Sequence, residues 1–250
     1  MTFHNRHECK FVVPETAAMR VLQRVAPFVV PDPNAADRPG HAYAIASLYL
    51  DAPGDRFRQE TVDGRADRYK LRVRCYDDDA DGTVFLEIKS RRDRVVLKER
   101  CPLPRRLLPA VLRADLSEVP VRKPRELHAL HEFVRLMRLR RAEPRCTVRY
   151  DRQAYMGRGD DEVRVTVDRR LSAIAETGPI VRIHDARYRA VPVAGVVVEL
   201  KFTDRCPPWL AETIRACELR RVSFSKYSTC AAALLDVRTA RAPRDSALAT

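Results

Sequence analysis

The sequence is poor in the features that mark several classes of protein. It has eight glycines and one tryptophan in 250 residues, and only 7% of its residues are aromatic. No apolar run approaches the ~20 residues that a membrane-spanning helix needs, and residues 1–10 carry charges where a secretory signal would be apolar. We therefore expect a soluble, cytoplasmic protein.

The cysteines give no sign of a disulfide framework or a zinc site. There are seven, scattered along the chain, with no Cys-x-x-Cys pair. An odd number without ligand spacing is typical of free thiols, which are usually buried.

Charge is what the sequence has in excess. The chain has 47 Lys and Arg against 34 Asp and Glu, a formal net charge of +13, and 45% of its residues are hydrophobic. This composition predicts a folded basic protein with a polyanionic partner, such as nucleic acid, a nucleotide, polyphosphate or anionic lipid. Few aromatic residues are interleaved with the cations, so nucleic acid is not expected.

Eight segments alternate polar and apolar residues with period two, the pattern of strands with one wet and one dry face. The predicted strands cover residues 6–11, 44–51, 69–76, 84–90, 95–100, 146–151, 162–168 and 196–202. Helical periodicity instead predicts helices over residues 15–25, 124–141, 207–219 and 225–237. No linker divides the chain, so we predict a single domain over residues 1–238 and a disordered tail over 239–250.

The wet faces of the predicted strands are specifically cationic. If the sheet is open, this face is an exposed basic surface; if it closes, the same residues line a tunnel, because a barrel places alternate residues inside. Alternation fits both arrangements equally well. The cations are Lys10, Lys70, Arg72, Arg74, Lys89, Lys98, Arg149, Arg164 and Lys201.

Seven short segments, in this order and spacing, resemble the VTC-type polyphosphate polymerase domain, a branch of the triphosphate tunnel metalloenzyme (CYTH-like) superfamily. The resemblance runs from about Arg6 to Leu235. The segments are Arg6-His7-Glu8-Cys9-Lys10, Ser47-Leu48-Tyr49-Leu50-Asp51, Tyr69-Lys70-Leu71-Arg72-Val73-Arg74, Glu87-Ile88-Lys89-Ser90-Arg91, Arg149-Tyr150-Asp151-Arg152, Val198-Glu199-Leu200-Lys201-Phe202 and Phe224-Ser225-Lys226-Tyr227-Ser228.

The resemblance implies an α+β fold, an antiparallel β-barrel tunnel of about eight strands with flanking helices. It also implies transfer of the γ-phosphoryl group of ATP to inorganic polyphosphate with Mn²⁺ or Mg²⁺, a reaction that depends on positioning and charge neutralisation. The sequence leaves open the oligomeric state and any membrane partner that receives the product.

The resemblance assigns roles to individual residues. Glu199 is the implied metal ligand, with Glu8 as a second carboxylate, and Lys226, Glu199, Arg72 and Arg74 are the implied catalytic residues. The implied substrate ligands are Lys10, Lys70, Arg72, Arg74, Lys89, Lys98, Arg149, Arg164, Lys201, Ser225 and Lys226.

Two departures from the family pattern bear on activity. Hydrolytic members begin with Glu-x-Glu-x-Lys, whereas this chain has Arg6 at the first acidic position, which favours the polymerase branch. A second lysine often precedes the last helix, where this chain has Ser223. A metal-dependent triphosphatase and a non-catalytic polyanion-binding module are the alternatives, and a buried Glu199 would favour an enzyme, since a phosphoryl transferase must hold its metal.

Overall fold

The computed structural model describes residues 6–92, 95–120 and 123–241. Its strands are β1 (Arg6–Val13), β2 (Val29–Pro31), β3 (Ala42–Asp51), β4 (Arg68–Cys75), β5 (Thr83–Arg92), β6 (Val95–Pro104), β7 (Glu143–Gly157), β8 (Asp160–Ala175), β9 (Arg189–Ala190) and β10 (Val196–Thr203). Its helices are α1 (Glu15–Val25), α2 (Arg56–Val62), α3 (Leu108–Leu112), α4 (Pro124–Leu139), α5 (Pro208–Ala216) and α6 (Lys226–Arg241).

The elements with a clear periodic pattern are confirmed. Each of the eight predicted strands coincides with one of the long strands, and the four predicted helices correspond to α1, α4, α5 and α6. The elements missing from the prediction, β2, β9, α2 and α3, have seven residues or fewer, too few to show a period. Helix α6 continues through residue 241, three residues into the predicted tail, and 242–250 lie outside the described residues.

The strands form one antiparallel sheet, and the prediction of a closed barrel is wrong. Their order is β1-β10-β8-β7-β3-β4-β5-β6, with β2 beside β7 and β9 beside β8. Within the described residues, no ladder joins β1 to β6, so the path has two ends. Sequence alternation determines which face of a strand is wet, and it carries no information on whether the end strands pair.

Side chains and a loop span the gap that the ladder leaves. The Glu8 carboxylate on β1 lies 3.0 Å from the Lys89 ammonium on β5, so the sheet curves until these strands face each other. Residues 220–225, which we call the strap, cross the same region, and the Val222 N–H donates to the Lys10 carbonyl at 2.8 Å. The polar face of the sheet is therefore concave, with the strap across part of it.

The two faces of the sheet pack against different elements. On β4, Leu71 and Val73 point into an apolar core with α4, and α1 and α5 cover a second core over β1, β8 and β10. Helix α6 instead packs on the concave face, where Tyr227 stacks on Tyr49 with ring centroids 4.6 Å apart. This packing brings Lys226, the first residue of α6, to the polar face. None of the helices described is long and apolar enough to cross a membrane.

Candidate active site

The concave side of the sheet gathers most of the charged residues singled out from the sequence. The register sets Arg72 opposite Glu87 and Lys10 opposite Glu199, and directly opposite residues share a face. We call this surface the charged face. It carries Glu8, Lys10, Tyr49, Lys70, Arg72, Arg74, Glu87, Lys89, Lys98, Arg100, Tyr150, Arg152, Arg164, Thr166, Asp168, Glu199 and Lys201.

One buried carboxylate organises the β4, β5 and β6 side of the charged face. Glu87 is 1% exposed, and its oxygens lie 2.6 Å from Arg72, 2.8 Å from Lys98, 3.4 Å from Arg100 and 3.9 Å from Arg74. Burial would raise the pKa of Glu87, but the charges of Arg72 and Arg74 hold it well below its ordinary value. The ionised carboxylate therefore fixes these cations in place. We call this group the Glu87 cluster.

A second carboxylate fixes the residue that begins α6. Asp168 accepts two hydrogen bonds from the Arg152 guanidinium, at 2.6 and 2.8 Å, and lies 2.6 Å from the Lys226 ammonium. Burial alone would lower the pKa of Lys226, but Asp168 and Tyr150 outweigh it and raise that pKa. Lys226 consequently stays charged inside the fold.

Glu8 and Glu199 meet at the gap between the sheet ends. The Lys10 ammonium lies between them, 3.0 Å from Glu8 and 3.9 Å from Glu199. The Lys201 ammonium lies 3.4 Å from Glu199. Burial would raise the pKa of Glu199, but the charges of Lys201, Lys226 and Arg152 bring it well below the ordinary value. Two carboxylates and two lysines thus share one point of the charged face.

This carboxylate pair fits a divalent metal that also binds substrate phosphate. Mg²⁺ is usually held by one or two carboxylates, with phosphate oxygens and water completing its coordination. Across the described residues no group of three or more His, Cys, Asp or Glu could hold a metal. The protein would therefore supply Glu8 and Glu199, and an anionic ligand would supply the remaining oxygens.

Lys70 lies in a different environment from the other site cations. Its ammonium donates to Ser225 Oγ at 2.8 Å, and in the described part of the chain no carboxylate forms an ion pair with it. Burial, together with the charges of Lys10 and Lys89, lowers the pKa of Lys70 to about 7. These residues line a cavity of about 600 Å³ beneath the strap, which we call the Lys70 cavity.

The strap forms one wall of the Lys70 cavity. The Lys10 ammonium donates to the Phe224 carbonyl at 3.1 Å. Ser223, where the resemblance places a second lysine, also lines the cavity and is exposed. The strap therefore contributes serine hydroxyls and backbone carbonyls to this wall. Its cations are Arg220 and Arg221.

Arg164 lies opposite Lys201 in the β8–β10 ladder. Its guanidinium is 2.7 Å from Asp32 and 3.5 Å from the Tyr43 hydroxyl. Arg164 is thus near the charged face as predicted, but a loop carboxylate already neutralises it.

Arg149 is not brought to the charged face. It pairs with Ala46 in the β3–β7 ladder, and Ala46 pairs with Cys75 on the apolar side of the sheet. Its guanidinium lies 2.8 Å from Asp151. Arg152, which the prediction passed over, occupies the expected place instead. The predicted strand ended at residue 151 and so did not include Arg152. Charged residues also occur at both odd and even positions of β7, so the sequence does not show which of them face the concave side.

Several residues of the charged face are absent from the predicted site, and two of them are carboxylates in a site predicted chiefly from its cations. Glu87 is two residues from Lys89 and Asp168 is four from Arg164, so strand phase already placed both carboxylates on the wet face. Arg100 is in phase with Lys98 at the end of its predicted strand. The predicted site did not include carboxylates that hold several cations in place. The side chain of Arg6, at the departure noted above, lies outside the described part.

Fold and site together define an α+β protein with a concave, cation-rich sheet face. A model of the VTC domain family matches residues 5–235, and the chain belongs to that family. Vacuolar transporter chaperone complex subunit 4 of Schizosaccharomyces pombe is 30% identical over 153 residues. The match covers 54% of this chain and 21% of that protein, so the chain spans a small part of its relative's length.

Solved structures resemble the fold at low identity. A candidate adenylate cyclase from Bacillus halodurans is 11% identical with a TM-score of 0.48, covering 88% of this chain and 95% of that one. A candidate adenylyl cyclase from Hippeastrum with a dominant triphosphatase activity is 12% identical with a TM-score of 0.48, covering 97% and 98%. A Pyrococcus horikoshii protein is 12% identical with a TM-score of 0.45, covering 93% and 99%.

Proposed function

We propose that the chain is a polyphosphate polymerase-like phosphotransferase, which moves the γ-phosphoryl group of ATP onto an inorganic polyphosphate chain. The observation that carries the proposal is the charged face, on which buried carboxylates hold cations from several strands and from α6 at fixed distances. Membership of the VTC domain family supports it.

The arrangement suits phosphoryl transfer because that reaction needs positioning and charge stabilisation more than covalent chemistry. Arg72 and Arg74 are held by Glu87, and Lys226 by Asp168, before any substrate arrives. Donors fixed in advance need little reorganisation when charge develops on the transferred group. We assign these three cations to the transferred phosphoryl group.

The number of cations on the charged face favours a polymer over a lone triphosphate. They come from strands between β6 and β1 of the sheet order and from α6, and they are more than a single triphosphate can contact. A polyphosphate chain presents charge along its whole length and can occupy the entire row. The substrate ligands proposed are Lys10, Lys70, Lys89, Lys98, Arg152, Arg164, Lys201 and Ser225, with Arg152 in place of Arg149.

We propose that Glu8 and Glu199 hold the divalent metal, Mn²⁺ or Mg²⁺. Such an ion neutralises phosphate charge and orients the leaving group. In the protein alone, Lys10 and Lys201 balance the two carboxylates. These lysines are therefore placed to pair with substrate phosphate when the carboxylates take up a metal.

We also propose that residues 1–238 act as one domain. The first strand, β1, pairs along its whole length with the last, β10, so neither half of the chain completes the sheet alone. Most of the larger relative's sequence lies outside this match. We propose that any membrane partner or further subunit binds surfaces other than the charged face.

The test is a product assay with the purified chain, ATP and Mn²⁺ or Mg²⁺, with and without a short polyphosphate primer. We expect ADP and long-chain polyphosphate with little free phosphate. Free phosphate without polymer would replace the proposal with a triphosphatase. Tight polyphosphate binding without turnover would make the chain a binding module.

A matched pair of variants tests whether turnover occurs on the charged face. Glu199→Gln keeps the shape of the side chain but removes the charge of a metal ligand, so metal-dependent turnover should fall at least ~100-fold, with polyphosphate binding retained. Arg149→Ala, on the opposite face, serves as the control and should leave both unchanged. Equal loss of binding and turnover in Glu199→Gln would argue against the metal role.

A further inference from the structure

One buried hydroxyl on the charged face has no hydrogen-bond partner in the part of the chain that the structure describes. It belongs to Thr166 on β8, a residue that is 1% exposed. A buried hydroxyl without a partner costs free energy, because it has lost its hydrogen bonds to water and gained none within the protein. Its neighbours in the sheet indicate which group this hydroxyl is placed to bind.

An unpartnered threonine hydroxyl is not by itself a site, as a second threonine shows. Thr147 on β7 is 2% exposed, and its Oγ1 also lacks a partner among the described residues. The residues directly opposite it are Leu48 on β3 and Ile174 on β8, and Leu48 belongs to the apolar core with α4. Thr147 therefore lies on the apolar side of the sheet and serves as the comparison for Thr166.

Thr166 differs because a carboxylate lies directly across the strand pair. It is opposite Glu199 on β10, and directly opposite side chains have Cβ atoms about 4.5–5.5 Å apart. On its other side it is opposite Ala154 on β7, whose methyl group cannot accept a hydrogen bond. Asp168, two residues along β8, already accepts two hydrogen bonds from Arg152. Glu199 is therefore the acceptor that Thr166 is placed to bind.

The Glu199 carboxylate is held more loosely than two other buried carboxylates of the charged face. Glu87 and Asp168 each have a cation nitrogen at 2.6 Å. The cation nitrogens that contact Glu199 within the described residues lie further away, at 3.4 Å for Lys201, 3.5 Å for Arg152 and 3.9 Å for Lys10. These distances exceed that of a charge-assisted hydrogen bond. Glu199 therefore keeps the capacity to bind a metal ion and to accept from a donor that orients it.

We propose that Thr166 is a positioning residue of the metal site, whose hydroxyl donates a hydrogen bond to the Glu199 carboxylate and orients it toward the ion. The inference rests on the proposed function for the location of the metal, and adds to it a residue from a third strand. Carboxylates that bind metals are themselves usually hydrogen-bonded, and loss of such a partner typically weakens metal binding 10–100-fold. The metal site thus depends on β1, β10 and β8.

The experiment compares Thr166→Val with Thr147→Val. Each change replaces a hydroxyl by a methyl group of similar size and removes an unpartnered buried polar group, so both variants should resist urea at least as well as the wild type. Equilibrium dialysis of the full chain against Mn²⁺ with tripolyphosphate, under identical conditions for every variant, gives the metal affinity. We expect it to fall about 10–100-fold in Thr166→Val and to stay within about twofold of wild type in Thr147→Val.

Two further measurements separate a positioning role from other roles. Thr166→Ser keeps the hydroxyl, so its Mn²⁺ affinity should stay within about threefold of wild type. Tripolyphosphate affinity measured in EDTA should be unchanged in Thr166→Val, because no cation is removed. A loss of metal-free tripolyphosphate affinity as large as the loss of Mn²⁺ affinity would overturn the inference and make Thr166 a phosphate ligand.

Failure of this inference can be told from failure of the proposed function. Polymer synthesis by the wild-type chain, with equal Mn²⁺ affinity in Thr166→Val and Thr147→Val, would overturn the inference alone. A loss of Mn²⁺ affinity that occurs in Thr166→Val and not in Thr166→Ser would sustain the inference even if the wild-type chain made no polymer. A wild-type chain that bound no Mn²⁺ with tripolyphosphate would overturn both the metal site and the role of Thr166.

Discussion

The charged face has two adjoining regions, which we call its two ends, with different electrostatic arrangements. In the Glu87 cluster, one buried carboxylate contacts Arg72, Lys98, Arg100 and Arg74, all within 4 Å. In the Lys70 cavity, the lysine contacts a serine hydroxyl, the charges that act on it most are cationic, and the carboxylate that lines the cavity, Glu8, is paired with Lys10 and Lys89. Every cation of the first end contacts a shared carboxylate, whereas Lys70 at the second end has no carboxylate partner among the described residues.

Under the proposed function, this difference separates the end that holds the site together from the end that would bind the phosphate ligand. A buried ion network with its partners present fixes side chains in place, and removal of its shared carboxylate leaves several cations uncompensated. A cation with no protein carboxylate instead opposes folding until an anion arrives. Substitutions should therefore change stability at the first end and ligand affinity at the second.

The largest effect is expected from Glu87→Gln. Loss of the carboxylate leaves Arg72 and Lys98 buried without their partner, which should lower the free energy of unfolding by about 3–5 kcal/mol. Urea unfolding of the variant and the wild type measures it. An unchanged midpoint would contradict the structural role that we give to the Glu87 cluster.

Lys70→Met should weaken ligand binding without lowering stability, in contrast to Glu87→Gln. Loss of one charged hydrogen-bond donor to phosphate should weaken tripolyphosphate binding by about 10–100-fold, while the free energy of unfolding stays the same or rises. Calorimetric titration and urea unfolding together give both quantities. The matched variant is Lys98→Met, whose ammonium is bonded to Glu87 and which should lose stability. Lower stability in Lys70→Met than in Lys98→Met would reverse the comparison.

The pH dependence of stability should distinguish the same two ends. Folding lowers the pKa of Lys70 from 10.5 to about 7, so between these values the unfolded chain binds a proton that the folded chain does not. The free energy of unfolding therefore rises with pH through that window. Below the window Lys70 is protonated in both states, and the full cost of burying its charge is present. Unfolding followed from pH 6 to pH 10 should show the rise in wild type and a smaller one in Lys70→Met. Equal slopes would contradict the assignment.

The Glu87 cluster should instead affect the free energy of unfolding at acidic pH. The folded-state pKa of Glu87 is below its ordinary value, so its contribution is present above the unfolded value and is lost as pH falls through the folded one. Lys70→Met should leave this loss of stability at acidic pH unaltered. An acid limb that changed in Lys70→Met as much as the alkaline one would mean that the two ends are not independent.

The smallest effect is expected from Arg149→Ala. Its guanidinium pairs with Asp151 on the opposite face of β7, so tripolyphosphate affinity should stay within about twofold and stability should change by at most ~1 kcal/mol, as for a partly exposed ion pair. The comparison is with Arg152→Ala, which removes the bidentate partner of Asp168 and should weaken both. A loss of affinity in Arg149→Ala matching that of Arg152→Ala would show that the face assignment is reversed.

The sequence was informative about the strands and about the phase of most of them. Alternation of Lys70, Arg72 and Arg74 with Leu71 and Val73 is a local property, which each strand carries in its own residues, so the charged face could be predicted. Closure could not, because whether β1 meets β6 depends on the curvature of the whole sheet and on the strap. The resemblance predicted a closed barrel, and the structure has two sheet ends.

The missed site residues have physical reasons too. Arg149 and Arg152 are both arginines on one strand, and only the ladder to β3 tells which faces inward. Glu87 and Asp168 are acidic residues in a site sought by its basic charge. Contacts between Lys70 and Ser225, separated by 155 positions in the sequence, arise from tertiary packing, which no periodic pattern reports.

The most direct test of the account is the pKa of Lys70 itself, measured by NMR of its side chain between pH 5 and pH 11. The measurement is made on the free protein and again with tripolyphosphate. We expect a midpoint near 7 in the free protein and a rise once the anion supplies negative charge beside Lys70. An ordinary lysine midpoint that tripolyphosphate does not move would contradict the claim that this end of the charged face is kept for a phosphate ligand.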